Sequence, residues 1–547
     1  MRIKASARLK KSIPIFILFQ TLALGMPLQA QRFTPRRRRP ARTNRQVQRG
    51  PFESSKRFSG ITRTRLDTLV LPTLERKGIQ PANLCSDEVF IRRVYVDMIG
   101  TLPEPQEVRK FLQSSSPRKR GMLIRTLFKR EEFADYWALR FCDLLRVKAE
   151  FPINLWPNAV QAYHRWIHDC LRDNMPYDQF ARALLTSSGS NFRVPQVNFY
   201  RAIQGKEPSA IASAVALTFM GVRLDNWPED RRANLEAFFT RVAYKGTAEW
   251  KEEIVYLDPN QPGSLDALFP DGAKVTIPPG ADPRVVFADW LICPDNPWFA
   301  RNIVNRIWAW LLGRGIIHEP DDIRPDNPPV HPKVLEYLER ELVRSDYDLQ
   351  HIFALILNSG TYQQSAVPQS DHPDAEAVFA CYPVRRLDAE VLIDALCWIS
   401  GTTESYSSPI PEPFTFIPEE NRSINLVDGS ITSQFLEMFG RPSRDTGLVS
   451  ERNNNATDAQ RLHMLNSSHV QTKIERSKRL NELIRAARGN KQTMIAEIYL
   501  TILSRFPAPG EMTVAEKYFE TEGMNSRQAA TDVAWALINS KEFLYRH

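Results

Sequence analysis

Apolar residues recur three and four positions apart in segment after segment of this 547-residue chain, the period that gathers them on one face of an α-helix. Ser86 is placed to cap a helix carrying Ile91, Val94, Tyr95 and Met98; Gly100 stops it, and Pro103 and Pro105 open the next one. Further helices are predicted over 122–128, 133–145, 160–171, 177–185 and 210–220. The pattern breaks between 250 and 279, where 254–256 reads as a strand and 274–277 as its partner, among prolines and glycines. Helical spacing returns over 285–291, 299–312, 334–342, 352–357, 387–399, 459–474, 495–503 and 529–544. Residues 405–418 hold four prolines and read as an extended loop, long enough to be functional. The expected fold is therefore all-α, with a small β-hairpin between two helical domains. The boundaries read as a signal segment at 1–30, a linker at 31–62, helical domains at 63–249 and 283–547, and the hairpin at 250–282.

Composition sharpens this picture in two places. A hydrophobic content of 43% with 10% aromatic residues excludes a largely disordered chain, and 23 Gly against 39 Pro excludes a collagen-like one. The formal charge of +9 misleads, because residues 1–50 hold thirteen Lys and Arg and no acid, and the remainder stands at −4. A mildly acidic folded part argues against nucleic-acid binding. Basic residues from Arg2 to Lys11 lead into the apolar stretch 13–28 and the small Ala30, the layout of a secretory signal peptide, with an uncut anchor as the rival reading. Export to the periplasm or cell surface is the expectation. The Arg-rich stretch that follows (Arg32, Arg36 to Arg39, Arg42, Arg45 and Arg49) is read as a solvated tether, or as a contact with an anionic envelope. Six scattered cysteines show no C-x-x-C pair and no metal-clip spacing.

Candidate chemistry is sparse, and each set of residues has a plain structural rival. His318, Asp321, Asp322 and His331 fall within fourteen residues of a Pro-rich stretch and could supply acid–base groups; Asp321 could equally cap a turn. Arg301, Asn305 and Arg306 on one helix, Arg385 and Arg386 before another, and Arg441 and Arg444 in a GRPSRD loop would, if brought together, grip a sulfate, carboxylate or phosphate. The rival is that these arginines pair with Asp388, Glu390 and Asp394 to tie helices together. Arg93 and Asp97, four apart, are placed to pair across one helical turn. His164 and His168 share a helix face at metal-ligand spacing, but no third ligand is identifiable. Trp308, Trp310, Phe238 and Phe239 read as core, with a Trp beside an Arg also able to stack on a sugar. Walker, nucleophile-elbow, H-E-x-x-H and dinucleotide motifs do not occur.

Several strings carry a family resemblance. FIRRVYVDMIGTLPEPQEVRKFL from Phe90, YHRWIHDCLRDNMPYDQFARALL from Tyr163 and NFYRAI from Asn198 resemble the planctomycete domain of unknown function 1549. The stretch from Ala288 to Leu338, ILNSGTYQQS from Ile356, YPVRRLDAEVLIDAL from Tyr382 and WALINSKEFLYRH from Trp535 are similar to its companion, domain 1553. The resemblance implies an exported, mainly helical protein of unestablished activity, often accompanied by a sulfatase-fold partner. Relatives carry a C-x-x-C-H-x-H-P string in the first domain and a C-x-C-E-R string in the second, at haem or metal-ligand spacing. This chain instead reads Gly221-Val222-Arg223-Leu224-Asp225-Asn226-Trp227-Pro228 at the first, and Thr446-Gly447-Leu448-Val449-Ser450-Glu451-Arg452 at the second. The expectation is no cofactor and no metal. The leading functional reading is a binding or assembly component at the envelope, docking a protein partner or glycan at an Arg-rich domain junction. The alternative is a polysaccharide-active enzyme, for glycans that include sulfated ones, using Asp321 and Asp322 with the junction arginines.

Overall fold

The computed structural model describes residues 64–547 apart from positions 262 and 419. The predicted signal segment and basic linker lie outside the described residues. The chain is mainly helical, and three small antiparallel sheets interrupt the helices. The first part contains α1 (Arg65–Arg76), α2 (Asp87–Ile99), α3 (Pro105–Gln113), α4 (Lys119–Leu127), α5 (Glu131–Leu144), α6 (Pro157–Arg172), α7 (Tyr177–Thr186) and α8 (Pro208–Val215). Ser86 caps α2 as its sequence position predicts: its hydroxyl accepts the Val89 N–H at 3.3 Å, and Gly100 ends the helix in the left-handed region at φ 60°. α8 runs on as a π-helical turn, Ala216–Met220, closed by Gly221 at φ 65°. Only glycine fits there, because a Cβ would come within 2.6 Å of the Asn302 amide oxygen and 3.1 Å of the Pro320 carbonyl.

The β region departs from the expected pairing. β1 (Gly189–Ser190) and β2 (Val242–Gly246) flank β3 (Glu253–Leu257), with Tyr244 opposite Val255, so 254–256 does not pair with 274–277. Instead β4 (Leu265–Leu268) pairs with β5 (Lys274–Ile277) across a turn at Gly272. Local closure decides both cases: Thr247 bonds to Glu252 through backbone and side chain, and Phe269 bonds to Ala273, each joining sequence neighbours.

The second part comprises α9 (Pro283–Ile292), α10 (Phe299–Leu312), α11 (Pro332–Arg344), α12 (Leu349–Leu357), α13 (Ala389–Ser400), α14 (Asp458–Asn466), α15 (Ser468–Glu475), α16 (Lys478–Ala486), α17 (Lys491–Leu503), α18 (Pro509–Phe519), α19 (Ser526–Ile538) and α20 (Lys541–Leu544). The single helix expected over 459–474 is two, because the Ser467 hydroxyl caps a new helix by accepting the Val470 N–H. Buried apolar residues form one continuous core from Leu66 to Phe543. The last described strand, β7 (Tyr545–Arg546), pairs with β6 (Arg385–Arg386) beside α2 and so ties the two parts together. No helix among the described residues is long and apolar enough to cross a membrane.

Candidate functional site

α10 is apolar on nearly every side, so Asn302, Asn305 and Arg306 are buried with it while Arg301 reaches the surface. Arg306 and Asp321 are both fully buried and form an ion pair at 2.8 Å. The Arg306 guanidinium also donates to the carbonyls of Leu217 (2.6 Å) and Thr218 (2.5 Å), at the π-helical turn. The second Asp321 oxygen accepts the Val449 N–H at 2.6 Å, and the Ile323 N–H reaches the Gly221 carbonyl at 2.8 Å. The loop around Asp321 therefore stands between the segment ending at Gly221 and the segment 446–452. Asn305 on the same helix clasps the backbone of Ile317 in both directions.

The other predicted arginines divide into groups. Arg301 lies at the surface, paired with Glu339 at 2.7 Å. Arg441 and Arg444 meet at the end of α5. Arg444 bonds to Asp143 at 2.9 Å and to the carbonyls of Val147 and Val427, while Arg441 caps the carbonyls of Ile431 and Asp428 and lies 3.6 Å from Glu390. Arg452 bridges these two acids, to Asp143 and Glu390 at 2.6 Å each. Arg386 binds the carbonyls of Phe439 and Asn453, and Arg385 binds Asp97 at 3.1 Å and the end of α10. Asp97 does not pair with Arg93. It accepts from Tyr362, Tyr382, Arg385 and Arg546, while Arg93 turns to the carbonyls of Tyr362, Gln364 and His547. Tertiary partners on both sides of α2 outcompete the local i,i+4 contact, which is worth only about 0.2–0.5 kcal/mol.

Asp388 joins the cluster by pairing with Arg140 and, at 2.6 Å, with Arg546, and it accepts from Tyr136 and Asn454. Burial raises its carboxyl, but the Arg140 and Arg546 guanidiniums outweigh that and hold it well below the usual range. Asp143 behaves alike: burial opposes ionisation, and Arg452 and Arg444 overcome it. Asp394 goes the other way, because burial pushes its carboxyl up, and its contacts are the Ser423 and Ile424 N–H groups with Arg422 at 3.6 Å.

The remaining candidates are scattered. Asp322 pairs with Arg324 at 3.2 Å; His318 is about one-third exposed; His331 is buried, its Nε2 facing the Val378 carbonyl at 3.0 Å, and burial pushes its imidazole down. His318, Asp321, Asp322 and His331 thus do not converge on one opening. His164 and His168 stack at 6.2 Å; burial pushes His164 down to about 3, while His168 is raised by its bond to Asp135. Among the described residues, no set of three His, Cys, Asp or Glu side chains is arranged to hold a metal ion.

Sequence reasoning missed Arg140, Asp143, Arg452 and Arg546. The signal was present in α5: Tyr136, Trp137, Leu139, Phe141 and Cys142 surround Arg140 with apolar residues on every face. A charge inside an all-round apolar helix has to be buried.

The fold and its buried ionic junction define a two-part helical protein whose halves are joined through charged tethers. Residues 65–237 match the family model of a protein of unknown function, DUF1549 (PSCyt2), and residues 283–519 match that of a second one, DUF1553 (PSD1), in that order. No curated protein and no solved structure matches the chain significantly. The resemblance raises a haem or metal at the two cysteine strings of relatives. In this chain both positions flank the loop of the ion-paired Asp321, and they present backbone carbonyls, Leu448 and Ser450. These groups do not fit a haem or a thiolate-bound metal.

Proposed function

We propose that this is an exported binding component of the cell envelope, working without a cofactor, and that its ligand-facing surface is an aromatic corner rather than the arginine junction. One observation carries the reading. Trp156, Trp250 and Phe414 come from three separate loops and meet at the surface, with ring centroids 6.3 Å apart (Trp156–Trp250) and 5.3 Å apart (Trp156–Phe414). Trp250 is 66% exposed and Phe414 52%, and Phe151 and Phe416 on the same loops are more exposed still. Exposed aromatic rings held in one patch mark an interaction surface.

The loops are held in place. The Trp156 N–H bonds to the Ala149 carbonyl, the Ala149 and Glu150 N–H groups bond to Asp428 and Ser430, and Ser407 pairs with Thr432 behind the Pro-rich loop. A rigid platform loses little conformational entropy on binding. Lys251 lies 5.4 Å from both indoles, so polar and aromatic groups face the same ligand. That combination suits the C–H face and hydroxyl edge of a sugar, and we assign an envelope glycan as the ligand. A protein partner such as a sulfatase-fold protein is the other outcome of the test. The enzyme alternative would have to release Asp321, which is fully buried and bonded on both oxygens.

The test is capture of envelope material by the mature chain, with the bound molecules identified by glycan and protein mass spectrometry, and with Trp fluorescence followed during titration by the recovered polysaccharide. Glycan in the eluate, with quenching lost in Trp250→Ala, supports the reading. A stoichiometric protein without glycan overturns the ligand assignment. Stoichiometric metal or haem in the purified chain overturns the cofactor-free part.

A further inference from the structure

α13 stops at Gly401, which lies in the left-handed region at φ 64°, and the chain then folds back so that Thr403 and Glu404 come beside Cys397 in the last turn of the helix. Lys473 of α15 reaches into this corner. Its ammonium lies 2.6 Å from the Thr403 carbonyl, 3.1 Å from the Glu404 carboxylate and 3.4 Å from the Cys397 sulfur. The Lys473 side chain is only 9% exposed, so these three acceptors hold the amine against the thiol. Glu404 also bonds to His469 at 2.8 Å, and His469, about one-third exposed, joins the carboxylate to the surface.

The six cysteines are all free, and among the described residues Cys397 is the one that a hydrogen bond places against an amine. Burial pushes its thiol up to about 11, which the neighbouring Lys473 only partly offsets, so at neutral pH it carries its proton and is a poor nucleophile toward a substrate. What the geometry offers instead is a thiol and an amine held in contact. Beside them, Lys473 and Leu396 share the wall of a small cavity of about 20 Å³ that is otherwise almost wholly apolar, with Ile399, Ile474, Leu480 and Ile498 around it. Apolar cavities stay dry and take up apolar guests, and a space of one water or so suits dioxygen.

We infer that Cys397 and Lys473 are joined by dioxygen into a covalent sulfur–oxygen–nitrogen bridge. The S–H bond, two N–H bonds of the ammonium, a third proton of that ammonium's charge and the O=O bond are given up, and one S–O and one O–N bond form. Counted as thiol, ammonium and dioxygen, the products are the bridge, which keeps one N–H, one water and one proton. Sulfur and nitrogen lose two electrons each, and the two oxygen atoms take up those four: one stays in the bridge and the other leaves as the water. The remaining proton goes to Glu404 and through His469 to solvent. The bridge ties α13 to α15 between positions 76 residues apart, as a disulfide would.

The experiment is peptide mapping by mass spectrometry of the full chain after several days in oxygen-saturated buffer, with one portion then treated with excess dithiothreitol. The expected result is a joined pair of peptides, one holding Cys397 and the other Lys473, at their summed mass plus one oxygen and minus two hydrogens. Dithiothreitol should return both peptides unmodified. Cys397→Ser and Lys473→Arg should each abolish the joined pair. Glu404→Gln keeps a hydrogen-bonding side chain without its charge and should slow the joining; an unchanged rate would remove Glu404 from the step. The unsubstituted chain decides the matter whether or not the variants fold. The inference is overturned if its Cys397 stays a free thiol, or is consumed only as sulfinic or sulfonic acid or in a disulfide, with no joined pair. A joined pair that persists in Cys397→Ser would overturn it equally.

Discussion

The ionic junction and the aromatic corner use residues against type. At the junction, arginines, which residue chemistry marks as ligand-gripping groups, point inward and are consumed by Asp97, Asp143, Asp388, Glu390 and backbone carbonyls. At the corner, Trp250 and Phe414, which residue chemistry marks as core, point outward. Neighbours make the difference. α5 and α13 are apolar on all faces and drag their charges inside, whereas Trp250 sits at the tip of the β2–β3 turn and Phe414 in a Pro-rich loop, where no second layer covers them. The same two residue classes are therefore structural in one region and available in the other.

The largest effect should come from breaking the junction. Arg546→Ala leaves Asp97 and Asp388 short of a cation, and equilibrium denaturation should show a loss of about 3–5 kcal/mol; Arg301→Ala, at a half-exposed pair, should cost under about 1 kcal/mol. Equal costs for the two would erase the distinction between junction and surface. Arg306→Ala tests the same point at Asp321. The expected result is a loss of folded protein of similar size, about 3–5 kcal/mol, measured by the same denaturation. A variant that stays fully stable but loses ligand capture would instead make the Arg306–Asp321 pair a ligand site.

Acidification should reproduce part of this loss. Asp388 and Asp143 ionise in the folded chain below the ordinary aspartate value of 3.8, so the unfolded chain takes up protons first as pH falls. Their stabilisation is complete above about pH 5 and is lost progressively as pH drops through 3.8 toward the folded values. A urea midpoint that stays flat between pH 5 and pH 3 would contradict the assignment. The smallest stability effect belongs to the corner: Trp250→Ala combined with Phe414→Ala should stay within about 1 kcal/mol of the parent. Glycan capture by that variant, read by retention on the recovered polysaccharide, should fall at least about tenfold, which corresponds to about 1.4 kcal/mol of binding. A corner variant that unfolds would show these rings to be core after all.

Much of the fold was legible because helical periodicity is local. The cap at Ser86, the stop at Gly100 and the bounds of α10 follow from residues within a few positions of each other. The strand pairing was less legible, since 254–256 suits any partner of similar pattern and only turn closure chooses β2 over β5. The burial of Trp308, Phe238 and Phe239 could be read from their apolar neighbours, but the outward turn of Trp250 could not. The rival reading of Arg441 and Arg444 as ties could be drawn from the acids near Glu390, which Arg441 does face, but Asp143, the partner of Arg444, stands some three hundred residues away.

The sequence by itself determined the helical class and the two family matches in their order, because each is written in short windows of residues whose spacing has only one common structural meaning. Only the tertiary structure decided which charges meet, that Arg546 closes on Asp97 and Asp388, and that rings from 156, 250 and 414 share one corner. Those are long-range choices, made by packing and by the cost of leaving a buried charge unpaired, and no local pattern encodes them.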